Sequence, residues 1–157
     1  MQQNITPFLW FDGQAEEAVN LYVSIFPDSR INNLVRYGDA GPGPKGTVMT
    51  ASFTLNGLTF TALNGGPHFK FTPAVSFVVD CETQQDVDRY WEKLSEGGRT
   101  DRCGWLQDKF GLSWQIVPRI LPELLKSPDP EKSKRVMQAM MQMEKIDIAK
   151  LEEAAGR

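Results

Sequence analysis

Histidine is almost missing from this chain, with one residue, His68, in 157. A nucleophile paired with an imidazole base can therefore form in one place at most, and no such pair can be named from the sequence. Cysteine is nearly as scarce. Cys81 and Cys103 are the only two; they suit a reducing compartment and read as buried or half-buried free thiols, with a disulfide as the minority reading. No apolar run approaches the roughly 18–20 residues of a membrane-spanning helix, so no membrane partner is expected. A basic surplus is lacking too. The formal net charge is −3, which argues against a nucleic-acid partner, because phosphate recognition draws on Lys and Arg. Met1-Gln2-Gln3-Asn4 carries neither a basic nor an apolar leader segment, so no secretory signal is expected and the cytoplasm is the default location.

Nucleotide motifs are also wanting. No G-x-G-x-x-G follows the first apolar run, as a Rossmann-like cofactor site would require. Gly41-Pro42-Gly43-Pro44-Lys45-Gly46 looks suggestive but is not G-x-x-x-x-G-K-[ST]. Its prolines remove N–H donors that a phosphate would need, so it reads as a surface loop. No cofactor is expected.

What is present is a pattern of short elements that occurs twice. Residues 6–11 form an apolar run readable as a buried strand. From Gln14 the apolar residues Ala15, Ala18, Val19, Tyr22, Val23 and Phe26 recur at helical steps until Pro27. Strands are expected over 31–37, 47–55 and 58–63, the last two joined by Asn56-Gly57, the strongest short hairpin signal. The order then restarts with a strand over 75–79, ended by Asp80-Cys81, and a helix over 84–94 capped by Thr83. Strands follow near 99–107 and 112–117, with Asp108 shaping the turn before Gly111. Helices complete the chain, over 119–126 and then as one run from 131 to about 155. Shifting by 68 pairs Trp10-Phe11-Asp12 with Val78-Val79-Asp80, and shifting by 54 pairs Gly57-Leu58-Thr59-Phe60 with Gly111-Leu112-Ser113-Trp114. The extra loop at 38–46 accounts for the change of shift.

The predicted fold class is therefore α+β, two βαβββ modules forming a cupped mixed sheet with a C-terminal helical extension. All 157 residues are expected to form a single domain, with repeat one at about 5–66, repeat two at about 73–118 and the helices at about 119–155. A cleft between repeats would be the natural seat for a ligand.

Ile5-Thr6-Pro7-Phe8-Leu9-Trp10-Phe11, Ala15-Glu16-Glu17-Ala18, Leu63-Asn64-Gly65-Gly66-Pro67, Cys103-Gly104-Trp105-Leu106 and Ser113-Trp114-Gln115-Ile116-Val117-Pro118 resemble the PhnB-like family. That family is often labelled 3-demethylubiquinone-9 3-methyltransferase. It lies in the vicinal oxygen chelate superfamily with glyoxalase I, bleomycin-resistance proteins and extradiol dioxygenases. The resemblance runs nearly the whole chain, including the tail from Val136 to Leu151. It implies a glyoxalase/bleomycin-resistance-like fold and a homodimer. It also implies, for the superfamily's enzymes, a divalent metal held by His and Glu from the first and last strands of each repeat.

This chain departs from that metal pattern. The first-strand positions fall near Ile5 or Thr6 and near Pro73 or Ala74, and the last-strand positions at Thr61 and Gln115. None is His, Asp, Glu or Cys, so no metal is expected. The candidate ligand-binding residues are Trp10, Asn64, His68, Ser76, Trp105 and Gln115. Trp10 and Trp105 could equally be packing residues, Asn64 a turn residue, and His68 an exposed loop side chain rather than a group over a pocket. Strand alternation allows only one of Trp114 and Gln115 on the ligand side; the superfamily's last-strand ligand suggests Gln115, with Trp114 under a helix. No catalytic residue can be assigned. The reading is a small-molecule-binding protein of this fold, without the usual metal and with an unknown ligand. The alternative is an enzyme, methyltransferase-labelled or glyoxalase-like, with a non-standard catalytic set.

Overall fold

The computed structural model describes residues 2–156. They divide into two compact units, one ending at Phe71 and the other beginning at Thr72.

The first unit runs β1 (Phe8–Phe11), α1 (Ala15–Ile25), β2 (Arg30–Arg36), β3 (Val48–Leu55) and β4 (Leu58–Asn64). Its sheet order is β1-β4-β3-β2, with β1 parallel to β4 and the other neighbours antiparallel. The β3–β4 hairpin turns on Asn56 at φ 44° and Gly57 at φ 89°. Both central residues lie in the left-handed region, the type I′ geometry that Asn-Gly favours. Helix α1 presents Ala15, Ala18, Val19, Tyr22 and Ile25 to the sheet. Beneath it lie Leu9, Phe11, Ala51, Phe53, Phe60 and Ala62, all buried. Ala18, Ala51 and Ala62 are fully covered. Their small side chains leave room for the rings of Tyr22, Phe53 and Phe60, which stack in sequence at centroid distances of 6.3 Å and 5.2 Å. Each such ring contributes about 1.5–3 kcal/mol through burial.

The second unit repeats the plan with β5 (Ser76–Cys81), α2 (Gln84–Ser95), β6 (Arg99–Thr100), β7 (Trp105–Gln107) and β8 (Ser113–Pro118). Its order, β5-β8-β7-β6, reproduces the first sheet strand for strand, again with its first and last strands parallel. The βαβββ repeat read from the sequence is thus present as two four-stranded mixed sheets of the same topology. Thr83 caps α2 through a full capping box with Asp86. Three helices follow: α3 (Ile120–Leu125), α4 (Pro130–Met141) and α5 (Ile148–Ala154). They share a core of Leu121, Leu124, Val136, Met143, Ile146, Leu151 and Ala155.

Three expectations need correction. Strand β5 continues through Cys81 rather than stopping at Asp80, because its ladder with β8 runs to the Cys81–Pro118 pair. The expected strand over 99–107 is two strands, since Cys103 (φ 60°) and Gly104 (φ 84°) turn the chain between them. The long C-terminal helix is two helices. Between them the carbonyls of Met143 and Glu144 accept from the N–H groups of Cys103 and Gly104, each at 2.8 Å. Carbonyls used that way cannot continue a helix. Gly104 is required here, because a Cβ would lie 2.8 Å from the Ile116 carbonyl oxygen.

Candidate functional site

Each sheet has one face packed under its own helix. The opposite face of the first sheet carries Phe8 and Trp10 of β1, Thr59, Thr61 and Leu63 of β4, and Thr50, Ser52 and Thr54 of β3. Strand alternation and register place them together. Thr54 and Thr59 share a hydrogen bond at 3.1 Å, and Asn32 Nδ2 donates to Thr54 Oγ1 at 2.9 Å.

In the second sheet, Phe77, Val79, Trp114 and Ile116 lie on the α2 side, while Ser76, Val78, Trp105, Gln107, Ser113, Gln115 and Val117 share the other face. Trp114 is only 3% exposed, whereas Gln115 is half-buried. The alternation argument is therefore realised as expected, with Trp114 packed and Gln115 on the face away from the helix. Gln115 Nε2 donates to Ser76 Oγ at 2.9 Å. Trp105 is the register partner of Gln115 across β7 and β8. The structure thus brings Ser76, Trp105 and Gln115 together on one sheet face. Charge is confined to its margins. Asp80, at the far end of β5, pairs with Arg119 at 2.7 Å, and Arg99 of β6 pairs with Asp101 at 3.7 Å.

The other three candidates belong to the first unit. Trp10 is half-buried and donates its indole N–H to the Gly66 carbonyl at 2.9 Å. Phe69 meets its ring edge-on at 4.9 Å. Asn64 is engaged at both ends of its amide: Oδ1 accepts from Ala15 N at 2.9 Å, and Nδ2 donates to the Val48 carbonyl at 2.9 Å. Its oxygen does the work of an N-cap for α1, whose formal cap residue, Gln14, makes no side-chain bond. His68 is exposed, in the turn that follows β4.

Sequence reading missed Ser113. It is 1% exposed, two residues before Gln115 on the same face, and its hydroxyl has no partner among the described residues. The signal was available in the alternation of Ser113 with Trp114 and Gln115.

The first strands begin at Phe8 and Ser76, so Ile5, Thr6, Pro73 and Ala74 lie outside them. Phe8 and Ser76 open the first strands where those residues were expected. Phe8 sits beside Thr61, and Ser76 bonds to Gln115. Aromatic carbon, hydroxyls and an amide do not make the N/O donor set of a divalent-metal enzyme. Among the described residues no three His, Cys, Asp or Glu side chains converge to hold an ion. No helix among them is long and apolar enough to cross a membrane.

A concavity of about 420 Å³ lies elsewhere, lined by Gln84, Asp88, Glu144, Lys145, Asp147 and Lys150. Asp88 and Lys145 pair with each other at 3.0 Å there. Cys81 is buried on the α2 side; burial, followed by the nearby Asp86 and Asp80, pushes its thiol up to about 12.

A profile of the family described as 3-demethylubiquinone-9 3-methyltransferase matches residues 3–117. That span holds both modules and stops before α3, so the tail from Val136 to Leu151 lies outside it. A PhnB protein of Bacillus cereus, described as a candidate 3-demethylubiquinone-9 3-methyltransferase, is 43% identical with a TM-score of 0.70. The match covers 99% of that protein and 74% of this chain. A Pseudomonas aeruginosa protein is 21% identical with a TM-score of 0.63, over 98% of its length and 74% of this one. A fosfomycin resistance protein of Listeria monocytogenes is 14% identical with a TM-score of 0.53, over 98% of its length and 78% of this one. The last two show a shared fold alone. No curated protein matches the chain.

Proposed function

The chain belongs to the PhnB-like family described as 3-demethylubiquinone-9 3-methyltransferase, on the vicinal oxygen chelate fold, and from that premise we propose that it binds a small molecule without the superfamily's usual divalent metal. The hydrogen bond from Gln115 to Ser76 at 2.9 Å carries this reading. It joins the first and last strands of the second module, where the metal enzymes would need charged or imidazole donors, and it is neutral. Trp105 adds a half-buried ring on the same face, and Trp10 a second on the corresponding face of the first sheet. An aromatic surface beside a few oriented polar groups is the usual composition of a small-molecule site.

Elemental analysis of purified protein tests it. The expected result is no stoichiometric divalent metal after gel filtration without chelator. One tightly held ion per chain, lost in Gln115→Ala, would overturn the reading.

The enzyme alternative rests on the 43% identity to the Bacillus cereus protein. It predicts a turnover that falls in Gln115→Ala or His68→Ala; unchanged rates in both would remove those residues from any catalytic role. A cytoplasmic homodimer is part of the same proposal, supported by the family resemblance. Light scattering behind size exclusion is expected to give twice the 17.7 kDa chain mass, and a monomer mass would reject the dimer.

A further inference from the structure

We infer that the ligand held against the second sheet is uncharged, a ring-bearing molecule that offers both a hydrogen-bond acceptor and a donor. The inference rests on the small-molecule reading above and adds the chemistry of the ligand.

The hydrogen bond between Gln115 and Ser76 leaves a specific inventory. Gln115 uses an Nε2–H on the Ser76 oxygen, so the serine hydroxyl keeps its own proton to donate. The Gln115 carbonyl oxygen remains an acceptor, and its second Nε2–H a further donor. The face thus presents a neutral donor and a neutral acceptor side by side, with the Trp105 ring across the β7–β8 ladder and Val78, 60% exposed, as the adjoining apolar surface. A planar ring with a carbonyl and an N–H or O–H at its edge satisfies all of these at once.

A charged ligand would fare worse. Burying a carboxylate, phosphate or ammonium costs heavily unless an opposite charge meets it. The central positions of this face hold Ser76, Val78, Trp105, Ser113 and Gln115, with no ionisable side chain. Two cations at its margins are paired: Arg119 with Asp80 and Glu82, and Arg99 with Asp101.

A matched pair of probes tests this: 2-naphthamide, uncharged with one carbonyl and one N–H₂, against 2-naphthoate, the same ring bearing a carboxylate. Calorimetric titration of the full chain is expected to show the amide binding at least about tenfold more tightly than the carboxylate. Gln115→Leu and Ser76→Ala should each weaken the amide by about tenfold, the size expected when one buried hydrogen-bond partner is lost. Circular dichroism of each variant confirms that it is folded, and Trp105→Phe gives an independent check by weakening both probes. Equal or tighter binding of the carboxylate would overturn the uncharged-ligand inference and leave the small-molecule reading standing. Binding of the amide unchanged in Gln115→Leu and Ser76→Ala would overturn the inference too. Binding of neither probe would overturn both.

Discussion

The indole Nε1–H of Trp114 donates to Oδ2 of Asp108 at 2.9 Å, and both residues are buried, at 3% and 2% exposure. The other carboxyl oxygen of Asp108 accepts from the backbone N–H groups of Phe110 and Leu112, at 2.9 Å and 3.0 Å. One side chain thus closes the turn before β8 and anchors the tryptophan that fixes which face of β8 meets α2. Asp108→Ala would take a hydrogen-bond partner from three donors, two of them in buried bonds, at about 1–3 kcal/mol for each buried one. The expected outcome is a loss of at least about 2 kcal/mol in urea unfolding at neutral pH. Asp108→Asn should lose less, because its carbonyl oxygen can still accept. A loss below about 1 kcal/mol for the alanine variant would show that the turn holds itself.

Ser113 predicts the opposite sign. Its hydroxyl is buried and has no partner among the described residues, so its desolvation is uncompensated. Ser113→Ala removes that cost while keeping the strand and its register with Ser76 and Gln107. Stability should stay level or rise, by up to about 1 kcal/mol. A clear loss in thermal unfolding would show that the hydroxyl is satisfied in solution, with a buried water as the natural partner.

The two thiols should separate by reactivity. Cys81 is 1% exposed, and burial above all, then Asp86 and Asp80, pushes its thiol up to about 12. Cys103 is only half-buried. Thiolate is the reactive form, so a native protein at pH 8 is expected to release about one equivalent in a thiol titration and a second only on unfolding. The linked stability effect has a definite sign. Because the folded value lies above the ordinary 9.0, the unfolded thiol ionises first. Its contribution is full below about pH 9 and is lost as pH rises from there toward 12. Cys81→Ala should therefore flatten the alkaline limb of the stability curve. Rapid labelling of both thiols in the native state would reject the burial of Cys81.

The fold was legible wherever its signal was local. Asn56-Gly57 and the Thr83 cap each lie within a few residues of the backbone they govern, and each formed as expected; the reciprocal bond from Asp86 completes the cap. The illegible parts depend on distant partners. Asn64 caps a helix that begins 49 positions earlier in the chain, so neither end of that contact announces it. Cys103 at φ 60° has no compositional warning, since Cys is not a residue that favours the left-handed region. The break between α4 and α5 did leave a trace. Asp147 precedes Ile148 as an N-cap, accepting from Lys150 N at 3.1 Å, but the continuous apolar stripe from Val136 to Ile146 concealed it. Of the candidate site, the opposite facing of Gln115 and Trp114 was legible for a simpler reason: period-two alternation alone requires it, and the family resemblance chose which of them faces away from the helix.

Gln84 joins α2 to the helical extension, and its removal gives the last prediction. Its Oε1 accepts from Ile148 N at 2.8 Å, and its Nε2 donates to the Ile146 carbonyl and to Asp88 Oδ1, each at 3.0 Å. Asp88 also pairs with Lys145 at 3.0 Å. The Gln84 hydrogen bond first, and Lys145 after it, hold the Asp88 carboxyl below its usual value. A depressed carboxylate stabilises the fold above its unfolded value and ceases to do so as pH falls through the folded one. Asp88 is about half exposed, its side chain at 48%, so screening keeps its share below about 1 kcal/mol. Gln84→Ala also strands the Ile148 N–H and the Ile146 carbonyl, at about 1–2 kcal/mol in total. Hydrogen exchange should therefore quicken at residues 146–151 in Gln84→Ala, while β8 stays protected. The stability gap between wild type and Asp88→Asn should be largest near neutral pH and shrink as pH falls below the ordinary carboxylate value of 3.8. Exchange that quickens equally across β8 and α5 would show instead that the extension unfolds only together with the module it packs on.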